Sequence, residues 1–484
     1  IDLEDYHFGT LRHLVTHQGL VRLDEDGRFS GDLAESWRTD DARTWTFTLR
    51  PGIVWHDGTP VTARDIRFTL HYLMDKIPVY RSHFSLVEQV TAPDDRTVVI
   101  RLSQPNSRFL VNLLVLRAIP AHVFQSVEDP KSLTGAAAAI GSGPFVFDRF
   151  DPAAGLLEFK AFEKYRRGPP NVKRVIFRFF KNADTMIMAL RNGEIDLPYL
   201  YAAGTAPFHV PPLLKDAGIR IHLLKNTGVP ASLFFNVQRP PLDRREMRRA
   251  LALAIDYREI LTLFAAGYGS TPNGGFVPWG SPDFVETDPL ATDRDEAARL
   301  LQGLGYLDAD GDGIREKDGH PLEIELVLRV DTAGNLRLAQ LLQEYFRAVG
   351  VRLKLRPVDM TLFRTISDQD RSHMAMLTRT TPWGMMMWAG CGTGYFDRRN
   401  IGWSLSDDAE FTSIVDRMNR MLDPGEYRQA AGELQRYYAR ELPAIPLYWD
   451  VMIQPCRGRI EGWKVSPMYG ILWEESWFSI REAP

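Results

Sequence analysis

Only two cysteines, Cys391 and Cys456, occur in 484 residues. That excludes a disulfide-rich scaffold and a cysteine-built zinc site, and leaves either one disulfide or two buried thiols. No apolar run approaches the roughly 18 to 20 residues that a membrane-spanning helix needs. No internal repeat or long low-complexity linker interrupts the chain. Lysine is scarce, with eleven among 58 basic residues. Basic and acidic groups nearly cancel, 58 against 62, so the net charge is -4. A strongly basic nucleic-acid binder is therefore excluded. The arginine excess supplies planar donors suited to carboxylates. The opening Ile1-Asp2-Leu3-Glu4 is polar and lacks the basic-then-apolar pattern of an export leader.

What is present reads as alternating strands and helices. Thr44 to Arg50 alternates polar and apolar residues and predicts a strand closed by Pro51-Gly52. Thr62 with Asp65 three residues on forms a capping-box pattern for a helix through Ile66, Phe68, Leu70 and Leu73. Strands are expected at Val98 to Leu102 and over 172–180, with a helix over 183–191. A long amphipathic helix should open at Asp243, and another at Thr292-Asp293. Leu322 to Val330, Asn335 to Val349 and Val351 to Val358 read as strand, helix and strand. That βαβ unit implies a parallel or mixed sheet and an α/β architecture.

Motifs of catalysis are weak. His13 and His17 have the i, i+4 spacing of zinc ligands, but Leu14 stands where a metalloprotease needs Glu. No nucleotide loop, nucleophile elbow or acid–base carboxylate pair stands out, so no enzyme is expected. Asp308, Asp310, Asp312 and Glu316 match the first part of a calcium loop. Gly319, however, occupies the position of its bidentate Glu. A hairpin needing no metal is the preferred reading, with a calcium site as the alternative. Arg117 lies in the apolar stretch Leu113 to Pro120 and needs an anionic partner, either an internal carboxylate or one on a ligand. Arg81, among Tyr80, His83 and Phe84, is a similar candidate. Residues 378–403 interleave Met and aromatic residues with Gly, in the manner of a wall that packs on a ligand.

Several segments together resemble the family 5 extracellular solute-binding proteins, receptors of ABC importers for peptides, nickel and related chelates. They are Leu33 to Trp37, Thr44 to Gly58, Val61 to Asp65, Gly141 to Phe145, Arg191 to Asp196 and Phe234 to Asn236. Arg248 to Leu251, Ala297 to Tyr306 and Leu442 to Tyr448 continue the series in family order. The stretch Ile314 to Leu326, with Arg379, Trp383 and Gly384, is most similar to the nickel-importer branch.

The resemblance implies a two-lobed periplasmic-binding-protein fold of type II, the large cluster with an extra subdomain, and a ligand cleft between lobes. Lobe I would hold residues 1–232, with the subdomain inserted at about 38–140, and be completed by 449–484. Lobe II would hold 233–448. Arg81 and Arg117 would grip ligand carboxylates, and Arg379, Trp383, Phe84, Tyr395 and Trp388 would contribute to the ligand site. The expected function is extracytoplasmic capture of a small carboxylate-bearing ligand, a nickel or other metal chelate, for delivery to a membrane permease. A dipeptide or oligopeptide ligand is the alternative, and the sensing domain of a transcription regulator a third reading. No cofactor is required, and the receptor would be a monomer, periplasmic or lipid-anchored outside the cytoplasmic membrane, its leader removed on export.

Overall fold

A computed structural model describes residues 15–199, 204–332, 334–387, 389–466 and 468–483. The chain divides into two compact units. One comprises Ile1–Leu224 with Met452–Pro484, the other Lys225–Val451. Among the described residues no helix is long and apolar enough to cross a membrane.

The first unit contains an antiparallel sheet of β1 (Ala34–Arg38), β2 (Thr44–Leu49), β3 (Val87–Thr91) and β4 (Thr97–Leu102), in the order β1-β2-β4-β3. The alternation of Thr44 to Leu49 buries Trp45, Phe47 and Leu49 on one face. Helix α1 (Ala63–Lys76) opens at Thr62, whose backbone N–H donates to the Asp65 carboxylate at 2.9 Å, closing the expected capping box. The short helix α2 (Pro78–His83) follows it. A second antiparallel sheet joins β5 (Phe145–Asp151), β6 (Leu156–Ala161) and β7 (Arg174–Arg178). It packs Phe145, Phe159 and Val175 against Trp473 and Trp477.

The second unit is built on the predicted βαβ. Strand β8 (Ala231–Phe235) is followed by β9 (Glu323–Arg329), helix α3 (Asn335–Arg347) and β10 (Arg352–Val358). Strands β9 and β10 pair in parallel, Glu323 opposite Arg352 through Arg329 opposite Val358. Strand β11 (Ala375–Thr378) pairs parallel to β9 and antiparallel to β8, and the long β12 (Ala444–Arg457) pairs antiparallel to β8. Side chains divide by the period of two. Leu233, Phe235, Leu326, Leu328 and Leu377 join one core with Leu338, Leu342 and Phe346 of α3. Phe234, Val327 and Met376 join another with Phe396 and Tyr438. The helix expected to open at Asp243 begins at Arg245 instead. Asp243 lies in the preceding turn, its N–H donating to the Arg239 carbonyl at 3.0 Å.

One segment organises the first unit. Val15–Leu20 is buried at every residue. Buried carbonyls need donors, and here they come from distant stretches. Thr16 accepts from Gly143 N–H at 2.9 Å, Gln18 from Ala118 at 2.9 Å, Gly19 from Leu33 at 3.0 Å and Leu20 from Asp32 at 3.1 Å. Glycine at 141 is a steric requirement, because a Cβ there would lie 1.8 Å from the Thr16 carbonyl oxygen. His56 latches the same loop, accepting Gly141 N–H on Nδ1 at 3.2 Å and donating from Nε2 to Gly143 O at 3.1 Å. Gly141→Ala should therefore destabilise the fold by about 1 to 3 kcal/mol or more, as overpacking does. Urea unfolding monitored by tryptophan fluorescence measures it, and parent-like stability would contradict the packing.

Candidate functional site

The segment Val15–Leu20 brings Arg117 into the interior. Arg117 is 7% exposed. Its Nη1 lies where a side chain at Gly19 would otherwise stand, 2.4 Å from an added Cβ. Nη1 donates to the Leu116 carbonyl at 3.1 Å, and Nη2 reaches the Tyr469 hydroxyl at 3.5 Å. Nε is buried without a hydrogen-bond partner. A buried guanidinium so weakly satisfied carries a large desolvation cost.

Around it lies a network of buried charge. Asp32 accepts the Gly19 N–H at 2.9 Å and the Gln18 amide, and sits 3.6 Å from Arg166. Glu474 takes Arg22 at 3.0 Å, Arg167 at 3.3 Å and the Tyr165 hydroxyl at 2.6 Å. Glu475 takes Arg22 at 2.6 Å and Arg167 at 2.8 Å. Burial raises the Asp32 carboxyl above its usual range, and the Glu474 charge adds to this. Burial works the same way on Glu474, but Arg22 and Arg166 outweigh it and hold that carboxyl low. Among the described residues three guanidiniums, Arg22, Arg166 and Arg167, thus pair with these three carboxylates, and Arg117 stands beside them as a fourth positive charge. Arg117 feels Asp32 electrostatically, yet among the described residues it has no carboxylate at ion-pair distance. Of the two partners the sequence left open for it, the internal carboxylate that acts on it, Asp32, is engaged by Arg166.

The remaining candidates are placed variously. Arg81 is exposed, and its guanidinium donates to the carbonyls of Met74 at 3.1 Å and Asp75 at 2.8 Å, near the end of α1. That is the manner of a basic C-terminal cap. Phe84 is fully buried and stacks parallel to Tyr80, with centroids 6.4 Å apart. The structure does not bring Arg81 into the Arg117 network.

In the second unit, Thr381 caps helix α4 (Pro382–Met386), accepting Gly384 N–H at 3.1 Å. Trp383 on α4 is 9% exposed. Tyr395 reaches the same helix, because a Cβ at Gly384 would lie 1.7 Å from its hydroxyl. Its ring stacks on Trp403 at 4.5 Å. Arg379 is half-buried and, with Arg329, draws the Asp331 carboxyl below its usual range. Met385, Cys391, Tyr395 and Phe396 belong to a core cluster of this unit, so much of the aromatic and Met stretch packs internally. Trp388 lies outside the described residues, as does His13.

The Asp308 loop gathers the side chains that spacing singled out. One oxygen from each of Asp308, Asp310, Asp312 and Glu316 lies within 4.8 Å of the others. Backbone donors also reach these carboxylates, Gly311 to Asp308 at 2.8 Å and Ile314 to Asp312 at 2.7 Å. Gly319 sits in the turn of a small hairpin pairing Glu316 with Pro321, and has φ of 76°. That conformation favours glycine and explains why no Glu stands there.

Asp32, Tyr469 and Glu474 escaped the sequence reading, since their contacts with Arg166, Arg117 and Arg22 join residues far apart in the chain, 352 and 452 apart for the last two, and leave no local spacing signal. Asp450 is another such group. It accepts from Asn226 Nδ2 at 2.9 Å, and burial pushes its carboxyl up to about 6. The chain passes between the two units at 224–225 and 451–452, next to this pair.

Comparison with known proteins accords with this architecture. The family model for bacterial extracellular solute-binding proteins, family 5 middle, matches residues 28–408, so the chain belongs to that family. A Brucella ovis protein named as an ABC transporter peptide-binding protein is 28% identical over 367 residues, 74% of this chain and 66% of its own length. The chain thus spans just under two thirds of that relative. NikA from Brucella suis in complex with Fe(III)-EDTA superposes with a TM-score of 0.81 and 20% identity, covering 97% of this chain and 94% of NikA. The oligopeptide-binding protein AppA from Bacillus subtilis, in complex with a nonapeptide, gives 0.76 and 20%, with 99% and 95% covered. At such identities the structures establish the fold, the two-lobed α/β fold of solute-binding proteins.

A carboxyl whose folded value is raised contributes stability below its unfolded value, near 4, and loses it as pH rises through about 6. Asp450→Asn should therefore flatten the pH dependence between about 4 and 6 and be stabilising at neutral pH relative to the parent. Urea midpoints measured across that range check it, and unchanged slopes would contradict the burial of this group.

Proposed function

We propose that the protein is the extracytoplasmic receptor of an ABC importer, binding a small carboxylate-bearing solute and delivering it to a membrane permease. A nickel or other metal chelate is the favoured ligand. The observation that carries this reading is Arg117, a buried guanidinium with an unpartnered Nε and, among the described residues, no carboxylate at ion-pair distance. A ligand acid group would satisfy it with charge-assisted bonds, each contributing about 1.5 to 3 kcal/mol. Membership of the solute-binding family supports the reading, and NikA's complex with a polycarboxylate chelate supports the ligand class. In this reading the protein is a binding protein rather than an enzyme, works as a monomer, and resides in the periplasm or tethered outside the membrane.

A peptide ligand is the second reading. The Brucella ovis relative's name favours it, and a peptide also presents a terminal carboxylate. Isothermal calorimetry with Ni(II)–histidine, Fe(III)-EDTA and trialanine separates the two. The expected outcome is chelate binding that weakens roughly tenfold or more in Arg117→Ala. Binding of trialanine alone would transfer the assignment to peptides. Equal affinity in Arg117→Ala and the parent would refute the role of the buried charge.

A further inference from the structure

The two edges of the Arg117 guanidinium are used differently. Nη1 is taken by the Leu116 carbonyl. Nε and Nη2 lie on the other edge, the side that can receive a planar two-oxygen anion. There Nε has no partner, and Nη2 has only the 3.5 Å contact with Tyr469. In that contact the guanidinium donates and the phenol accepts. The Tyr469 hydroxyl therefore keeps its own proton for a further acceptor, and no acceptor for it is present among the described residues. Arg117 Nε–H is thus a donor without a partner, and the Tyr469 hydroxyl meets Nη2 of the same guanidinium.

Tyr469 is also held in place. Ser466 and Gly470 exchange backbone hydrogen bonds at 2.7 and 2.9 Å, closing the loop that carries it. The Ser466 hydroxyl accepts Tyr469 N–H at 3.2 Å. Gly470 adopts φ of 73° and packs against Gln454, where a Cβ would lie 2.3 Å from Oε1. Gln454 Oε1 in turn accepts Ile471 N–H at 2.7 Å. The Tyr469 side chain is half-buried, and its hydroxyl end meets Arg117. A phenol fixed in this way loses little freedom on accepting a ligand.

We propose that Tyr469 is a ligand-contacting specificity residue, its hydroxyl donating to one oxygen of the ligand carboxylate whose other oxygen is taken by Arg117 Nε. This rests on the reading of Arg117 as an anion receptor and adds the second donor. A pair of donors matched to two oxygens selects a carboxylate over a spherical anion such as chloride. The surrounding charges do not oppose it. Asp32 is engaged by Arg166, Gln18 and the Gly19 amide, and among the described residues the network holds four guanidiniums to three carboxylates.

The test uses acetate as probe on the full chain, at fixed pH and ionic strength with chloride as the replaced salt. The Arg117 Nε–Hε resonance is followed by NMR and identified by its absence in Arg117→Lys. The parent should show a saturable shift with acetate. Tyr469→Phe should retain the parent melting temperature and bind acetate roughly tenfold more weakly. A parent without a saturable shift, or a Tyr469→Phe protein that titrates like the parent, overturns the proposal. If Tyr469→Phe fails to fold, Tyr469→His, which keeps a ring donor, should restore both folding and most of the affinity, and an unchanged loss of affinity there also overturns it. Saturable acetate binding without chelate or peptide binding would sink the receptor assignment while leaving this pair intact.

Discussion

The first unit depends on the burial of six consecutive backbone residues, Val15–Leu20. A buried peptide group must be paired, and this segment is neither a helix interior nor the middle of a sheet. Four of its carbonyls accept amides from residues 32–33, 118 and 143. Each of those stretches must come close enough for backbone-to-backbone bonding, which is possible only because glycine occupies positions 19, 141 and 143. The same convergence fixes Arg117 against Gly19 and delivers the Gly19 amide to Asp32. Geometry demanded by the backbone thereby sets the position of a charge.

Electrostatics follows from that placement. Buried ion pairs stabilise little on average, because desolvation offsets attraction. Their value here is in arrangement. Arg22, Arg166 and Arg167 neutralise Asp32, Glu474 and Glu475 and tie the C-terminal stretch near Glu474 to the rest of the unit. Among the described residues Arg117 is the guanidinium left over. An uncompensated buried cation is poorly stabilised by its own protein and correspondingly receptive to an anion from outside. In the proposed receptor role, leaving this one group under-satisfied while its surroundings are held rigid would raise affinity for an anion.

Much of the architecture was legible in local sequence. The period-two stretch from Thr44, the Thr62–Asp65 box and the strand–helix–strand pattern of 322–358 are all set by neighbours within a few residues. The glycines at 141 and 143 were visible as a motif, although the reason for them, contact with Thr16, was not. Arg117 was legible because a lone arginine in an apolar run demands a partner. Its setting was not legible, since Asp32, Tyr469 and Glu474 lie far away in the chain. The Met and aromatic stretch after Thr378 looked the same in sequence whether it faced a ligand or a core. The structure packs Met385, Cys391 and Phe396 into the core, with Gly390 and Gly392 at positive φ turning the chain between short helices.

The central claim is that the buried Arg117 charge is completed by an acidic solute. Native mass spectrometry of the protein as purified, and after exposure to extract of its growth medium, tests it most directly. The account predicts one small carboxylate-bearing species per chain in the parent and none in Arg117→Ala. A bound species lacking an acid group, retention of the same species by Arg117→Ala, or a parent that takes up no solute would contradict it.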